Sequence, residues 1–125
     1  MEQPPTTQRE VSLEEAMAIA ILFQKNGQLA DAEDMYRQIL EKVPDHPDVL
    51  HYSGVLAHQQ GRSGEAVALI ERSLALEPNQ ADCYSNLGII FKARGRVDDA
   101  VGAYQHAIAL NPEHANAHNN LAVLL

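Results

Sequence analysis

The sequence predicts an all-α protein in which antiparallel helix pairs stack into an α-solenoid. Three observations lead to this prediction: a 34-residue repeat, apolar residues at helical spacing within each repeat, and a glycine and a proline at fixed places in it. A period of about 20 to 50 residues is typical of repeat proteins, in which each unit packs mainly against its neighbours. The prediction is therefore of one elongated stack of similar units.

The repeat is visible as five columns of residues that share the 34-residue step. The columns are Gly27, Gly61 and Gly95; Pro44, Pro78 and Pro112; Ala32, Ala66 and Ala100; Ala20, Gly54, Gly88 and Ala122; and Leu22, Leu56, Ile90 and Leu124. They predict a polar tail over residues 1–12 and complete units over 13–46, 47–80 and 81–114. Residues 115–125 would then be the first helix of an incomplete fourth unit.

Each unit reads as a helix, a turn, a second helix and a stop. In the third unit Leu87, Ile90 and Phe91 fall on one helical face, because residues three and four apart share a face. Gly95 separates the two helical runs, and glycine readily adopts the left-handed conformation that ends a helix. Pro112 blocks continuation of the second helix, since proline lacks the backbone N–H that a helix interior needs.

The helix ends and the small residues follow the same logic. Ser12 and Glu15 have the spacing of a capping box, and Pro47 suits the first turn of a helix. Gly54 and Gly88 lie inside first helices, where glycine costs about 1 kcal/mol relative to alanine. Close approach of the second helix is the gain that would offset this cost.

Composition narrows the class of protein. The chain has 125 residues, a formal net charge of -8 and 46% hydrophobic residues, which favours a folded domain over disorder. The acidic excess argues against nucleic acid and anionic membranes as partners. The N-terminus lacks a secretory signal, no apolar run is long enough for a membrane span, and a lone cysteine forms no internal disulfide. These features predict a cytoplasmic location.

The sequence contains no recognisable catalytic, metal or cofactor motif, so we predict that this chain is not an enzyme and holds no cofactor. His51 and His58 are about two helical turns apart, which is too far to chelate one ion without other ligands. His114 and His118 also lack supporting ligands. Cys83 lies early in a helix, where a low thiol pKa competes with the alternative of a small packing residue.

Three segments carry a resemblance to a known family. They are "AIAILFQKNGQLADAEDMYRQILEKVP" (18–44), "HYSGVLAHQQGRSGEAVALIERSLALEP" (51–78) and "YSNLGIIFKARGRVDDAVGAYQHAIALNP" (84–112). With their glycine, alanine and proline columns, they resemble tetratricopeptide repeats over about residues 13 to 125. The resemblance implies a right-handed superhelix whose first helices line a concave groove, and a protein-interaction module that binds a peptide or helix there.

The resemblance also implies which residues face the groove. The predicted groove set is Met17, Ile21, His51, Tyr52, Val55, Asn86, Ile89, Lys92, Asn119 and Asn120. Packing against its neighbours is an equal alternative for Tyr52. A subgroup of the family grips chaperone C-terminal carboxylates with Lys, Arg and Asn, but the matching positions here are Met17, Ile21, Tyr52, Asp82 and Asn86. Only the last of these fits, so we reject the chaperone-tail function.

Asn86 and Asn120 are separated by one 34-residue step and suggest a second comparison. A column of carboxamides can pair with both backbone groups of an extended peptide. Such a ladder lines the repeats of O-linked N-acetylglucosamine transferases, and "NPEHANAHNNLAVLL" (111–125) looks like their repeats. The segment from Pro47 to Pro78 is similar to repeats at the N-terminus of bacterial relatives. The alternative is that these asparagines only pack between repeats.

Three functions remain open at this stage. The first is a peptide-binding module that forms the N-terminal part of a larger protein. The second is the substrate-recognition part of a glycosyltransferase whose catalytic domain lies beyond residue 125. The third is self-association through the C-terminal helix. The second helix that would cover Leu124 or Leu125 in a complete unit is missing. We therefore expect an apolar patch at this end, and a protein that continues or pairs there.

Overall fold

The structure is a computed structural model that describes residues 11–125. Seven α-helices follow one another: α1 (Leu13–Lys25), α2 (Leu29–Lys42), α3 (Pro47–Gln59), α4 (Ser63–Leu76), α5 (Ala81–Ala93), α6 (Val97–Leu110) and α7 (Ala115–Leu124). No strand is present in this part of the chain. The predicted all-α class and stacked helix pairs are confirmed. Most of the predicted N-terminal tail, residues 1–10, lies outside the described residues.

Glycine forms the turn inside each helix pair, as the spacing predicted. Gly27, Gly61 and Gly95 have φ angles of 80°, 83° and 77°, which side chains with a Cβ rarely adopt. After the first of these turns, the N–H of Gln28 donates to the carbonyl of Phe23 at 2.8 Å. This is the long hydrogen bond of a Schellman motif, and the other two turns repeat it. The three turns therefore share one geometry.

The first helices begin at positions that also share the 34-residue step. The N-cap residues are Ser12, His46, Gln80 and His114. Ser12 and Glu15 form the predicted capping box, with hydrogen bonds of 3.1 Å and 2.9 Å. At His46 and His114 a ring Nδ1 accepts a backbone N–H instead. Histidine is not among the preferred N-caps, so residue preference alone did not reveal this role.

Close helix approach explains the glycines inside the first helices. A Cβ added at Gly88 would lie 2.5 Å from the ring of Tyr104, and one at Gly54 would lie 2.6 Å from Ile70. Both partners are fully buried. The prediction that a second helix packs tightly at these positions is confirmed, and the lost helix propensity is offset by packing.

The packing is less complete where the first two helix pairs meet. Ser53 occupies the column that Leu87 fills one unit later, and its buried hydroxyl has no hydrogen-bond partner among residues 11–125. Beside it lies an open depression of about 310 Å³, with Leu40, Leu56 and Leu69 among its walls. A polar side chain therefore stands where the neighbouring unit has an aliphatic one.

The helices divide into an inner and an outer row. Consecutive first helices contact one another, α1 with α3, α3 with α5, and α5 with α7. Consecutive second helices of the described chain make no such contact. Since the first helices lie closer together, their row forms the inner side of the stack. We call the surface of α1, α3, α5 and α7 on this side the inner groove.

The last helix is covered on one side only. Leu121 and Leu124 pack against the core, whereas Val123 and Leu125 are 72% and 86% exposed. The expected apolar patch is present, and self-association through this helix stays a prediction. In residues 11–125 no helix has both the length and the apolar character needed to cross a membrane.

Candidate functional site: the inner groove

The inner groove contains two adjoining depressions. The first has a volume of about 230 Å³ and is lined by Ile21, Gln24, Lys25, Tyr52, Val55, Gln59 and Asn86. The second, of about 510 Å³, is lined by His51, Tyr52, Asp82, Ser85, Asn86, Ile89, His114, Asn116 and Asn120. Tyr52 and Asn86 line both, so the two depressions form one continuous surface. The first is mainly apolar and the second is rich in amides.

The structure brings most of the predicted groove residues together on this surface. Seven of the ten line the depressions, namely Ile21, His51, Tyr52, Val55, Asn86, Ile89 and Asn120. Met17 is half-buried and packs against the core of the first two helix pairs. Lys92 and Asn119 are exposed and line neither depression. A role in ligand binding stays a prediction for all ten.

Tyr52 both packs and faces the groove. Its ring stacks on Tyr36 at 6.5 Å and on His51 at 5.5 Å between centroids, and it is half-buried. Behind it the hydroxyl of Tyr36 donates to Gln24 at 2.7 Å, and Gln24 donates to Gln59 at 2.6 Å. Burial raises the pKa of Tyr36, so this hydroxyl stays protonated as a donor. The floor between α1 and α3 is therefore held in place by hydrogen bonds.

A second hydrogen bond joins α5 to α3. The side-chain Nδ2 of Asn86 donates to His51 Nε2 at 2.8 Å. Burial lowers the pKa of His51, and the negative charges of Asp82 and Asp48 oppose this effect. The lowered pKa favours the neutral ring, which is the form that accepts this bond.

The two asparagines of the predicted ladder differ in their bonding. Asn86 bonds the neighbouring first helix, as the packing alternative expects, while its carbonyl oxygen makes no hydrogen bond in the described chain. Asn120 occupies the same position one unit later and makes no hydrogen bond within residues 11–125. The amide of Asn86 is thus engaged through its nitrogen only, whereas neither polar atom of the Asn120 amide is engaged within residues 11–125.

His114 has a role that the sequence analysis missed. Its Nε2 donates to Asp82 at 2.7 Å and its Nδ1 accepts the backbone N–H of Ala117 at 3.1 Å. The ring is 9% exposed and links α5 to the start of α7. The signal was its place in the N-cap column with Ser12. In the described part of the chain, no three His, Cys, Asp or Glu side chains are grouped to hold a metal.

Cys83 is a packing residue. Its side chain is fully buried, and its thiol lies 3.8 Å from the hydroxyl of Ser73. Burial raises the pKa of Cys83 to about 11, although the hydrogen bond to Ser73 acts in the opposite direction. The alternative of a low thiol pKa near the helix N-terminus is wrong, because burial raises the pKa of Cys83.

Comparison with known proteins settles the family. A tetratricopeptide repeat model matches residues 17–81, and a second TPR repeat model matches residues 90–125. The chain belongs to the tetratricopeptide repeat family. Such repeats are non-catalytic folds that typically serve as protein-interaction modules. A search of curated protein sequences found no match.

Several solved structures share the fold of this chain. A Thermobaculum terrenum O-GlcNAc transferase mutant is 29% identical, with a TM-score of 0.87, over 100% of this chain and 23% of the transferase chain. MamA is 20% identical, with a TM-score of 0.81, over 89% of this chain and 65% of its own. The first TPR of Spaghetti, bound to an HSP90 peptide, is 19% identical, with a TM-score of 0.82 and coverage of 93% and 94%. The chain thus spans less than a quarter of the transferase and about two thirds of MamA.

Proposed function

We propose that the inner groove binds an extended peptide or a helix of a protein partner. The observation that carries this proposal is the continuous surface formed by side chains from four successive first helices. Solenoid repeats use such surfaces for binding, since each unit adds side chains to the same groove. The units 13–46, 47–80 and 81–114, with the helix of 115–125, would each contribute one strip of the surface.

The side chains of the groove suit a peptide. Ile21, Tyr52 and Val55 offer apolar contacts at one end, and Ile89 is 40% exposed further along. The free carbonyl of Asn86 can accept a backbone N–H, and a primary amide such as that of Asn120 can both donate and accept. The groove therefore combines apolar anchoring with groups that recognise a peptide backbone whatever its sequence.

A selection from a random-peptide phage library against the 125-residue chain tests the proposal. Selected peptides should lose about tenfold in affinity with Ile89→Ser, which removes an apolar groove contact worth about 1.4 kcal/mol. Leu110→Ser is the matched control, because Leu110 is 37% exposed on α6, outside the groove. Circular dichroism establishes that both variants fold. Equal losses in the two variants would place binding elsewhere.

Adjacent asparagines of α7 provide a test of the amide ladder. Asn120→Ala should weaken peptide binding without loss of thermal stability, since Asn120 lines the groove and makes no hydrogen bond in the described chain. Asn119→Ala is the comparison, because Asn119 was also predicted to face the groove but lies outside both depressions. A smaller loss of affinity with Asn119→Ala than with Asn120→Ala supports the ladder. If neither change affects binding, the asparagines are packing residues and the ladder is wrong.

A more specific candidate function follows from the transferase comparison. The O-GlcNAc transferase structure matches 100% of this chain, at 29% identity, with only 23% of its own length. This favours the proposal that the chain forms the N-terminal, substrate-recognising repeats of a similar glycosyltransferase. Its catalytic residues would lie beyond residue 125. The downstream reading frame decides this: a nucleotide-sugar-binding domain supports the proposal, and an unrelated domain eliminates it.

A further inference from the structure

We propose that the ligand of the inner groove is a basic peptide, with a lysine or arginine beside an apolar residue. The basic side chain would lie against Asp48 and Asp82, and the apolar one against Ile21, Tyr52 and Val55. This inference rests on the proposed peptide-binding function and adds the chemistry of the partner.

The first helices carry an acidic edge along the groove. Glu14, Asp48 and Asp82 follow one another at the 34-residue step and lie in the first turns of α1, α3 and α5. Asn116 continues the column on α7 without a charge. Asp82 lines the second depression beside its amides, and Asp48 and Glu14 hold the equivalent positions one and two units earlier. Asp48 also acts electrostatically on His51, which lines the same depression.

This acidic edge is not neutralised by the protein itself. Within residues 11–125 the arginine–carboxylate pairs involve Arg37, Arg62 and Arg96, all on or next to second helices. Asp48 has no hydrogen bond or ion pair in the described chain, and Asp82 contacts only His114. The side chain of Asp82 remains 81% exposed despite that contact. Its free oxygen and the carboxylate of Asp48 are available to a cation.

The ring of His51 does not supply a positive charge at neutral pH. His51 lies between the two aspartates in sequence, and both act electrostatically on it. Burial nevertheless lowers its pKa, and Asn86 donates to its Nε2, which requires the unprotonated nitrogen. The negative potential of this half of the groove is thus left for the ligand to balance.

The apolar half of the groove sets the second requirement. Tyr52 and Asn86 line both depressions, so one short peptide can contact the acidic edge and the apolar floor together. An apolar side chain on Ile21 and Val55 would be removed from water, while an adjacent lysine or arginine keeps its charged end near Asp82. An acidic peptide such as SRMEEVD, the ligand of the Spaghetti structure, would instead be repelled.

A single selection and one pair of double variants test the proposal. Random heptapeptides displayed on phage are selected against the 125-residue chain, and the consensus peptide is labelled with fluorescein for anisotropy titrations. We expect enrichment of lysine or arginine beside an aliphatic or aromatic residue. Asp48→Asn with Asp82→Asn should weaken the consensus peptide about five- to tenfold, as expected for the loss of two partly exposed charge pairs. Binding should also weaken as salt is added.

The matched control changes the same charges on the outer row. Asp31→Asn with Asp98→Asn alters the net charge equally, and both residues lie in first turns, of α2 and α6. Helix-dipole effects are therefore the same in the two double variants. The control should leave the affinity unchanged. Asparagine keeps a hydrogen-bond acceptor for His114, and the single Asp48→Asn variant, where no hydrogen bond is lost, is the fallback if the groove double variant does not fold.

The outcomes distinguish the preference for basic peptides from the more general proposal that the inner groove binds peptides. If neutral or acidic peptides such as SRMEEVD are selected and their binding is lost with Ile89→Ser, the groove binds peptides and the basic preference is overturned. Equal loss of affinity in the groove and control double variants also overturns it. If the binding of the selected peptides depends neither on Ile89 nor on Asp48 and Asp82, both the basic preference and the peptide-binding function fail.

Discussion

Asn86 of α5 donates a hydrogen bond of 2.8 Å to His51 of α3, across two successive first helices of the groove. The two residues belong to different repeats, so the bond depends on how the repeats stack. It holds the imidazole as an acceptor and leaves the amide oxygen of Asn86 for a ligand. The same contact thus stabilises the stack and determines which groups the groove presents.

The pH dependence of stability is the first consequence of this bond. Because burial lowers the pKa of His51, the folded state binds a proton less readily than the unfolded chain. The stabilisation is present above the ordinary histidine pKa of about 6.5 and is lost as the pH falls through the lowered value. Urea unfolding at about pH 7.5 and about pH 5.5 should show a larger loss in the native protein than in His51→Gln.

The glutamine variant is informative because its side-chain oxygen can still accept from Asn86. If His51→Gln keeps the full pH dependence, protonation of another group is responsible for it.

Removal of the His114 ring should loosen α7. Nδ1 of His114 accepts the N–H of Ala117, and Nε2 donates to Asp82, so His114→Ala removes a helix cap and a link to α5. Loss of an N-cap typically costs about 1 kcal/mol. Hydrogen exchange should become faster in residues 115–124, while α3 and α4 stay protected. His114→Asn, which retains a capping side chain, should recover part of the protection; equal exchange in both variants would contradict the capping role.

Alanine substitution at two helical glycines should change the stability of the fold in opposite directions. A Cβ at Gly88 would meet the buried ring of Tyr104 at 2.5 Å, so Gly88→Ala should destabilise the fold by about 1–3 kcal/mol through overpacking. At Gly102 of α6, no atom of the described residues lies within 4 Å of the added Cβ. Gly102→Ala should therefore stabilise by about 0.5–1 kcal/mol through helix propensity. Chemical denaturation measures both, and stabilisation by Gly88→Ala would show that the ring relaxes easily.

The gap beside Ser53 predicts a stabilising substitution. Leu87 fills the equivalent place one unit later, and the Ser53 hydroxyl is buried without a partner in the described chain. Ser53→Leu should raise the free energy of unfolding by about 1–2 kcal/mol, since it buries apolar surface and removes an unpaired polar group. Ser53→Ala should give a smaller gain by removing the hydroxyl alone. A loss of stability with leucine but not alanine would mean that the depression is too narrow.

Much of the fold could be predicted from the sequence because its rules are local. The glycine columns require a positive φ at Gly27, Gly61 and Gly95, and the capping box of Ser12 and Glu15 lies within a single helical turn. Such features depend on backbone sterics and on close neighbours in the chain. Because the 34-residue step repeats, the same helix–turn–helix arrangement could be predicted for each unit.

For the candidate site, we predicted which side of the helices the residues lie on, but not which side chains contact one another. The resemblance to tetratricopeptide repeats implied that Ile21, Tyr52, Val55 and Asn86 face the groove, and the structure gathers them in one depression. The periodicity does not give distances between helices. The exposed positions of Lys92 and Asn119, the half-buried Met17 and the bonding of Asn86 all depended on those distances.

Sequence alone determined the repeat and the helix pairs, and the resemblance to tetratricopeptide repeats implied the side of the stack on which a groove would lie. Only the tertiary structure decided that His114 caps α7 from a buried site, that Cys83 is an inert packing residue, and that Asn86 shares its amide with His51. The physical reason is desolvation. The pKa of a side chain and the partner it bonds depend on what surrounds it in space, and those neighbours come from helices of other repeats, distant along the chain.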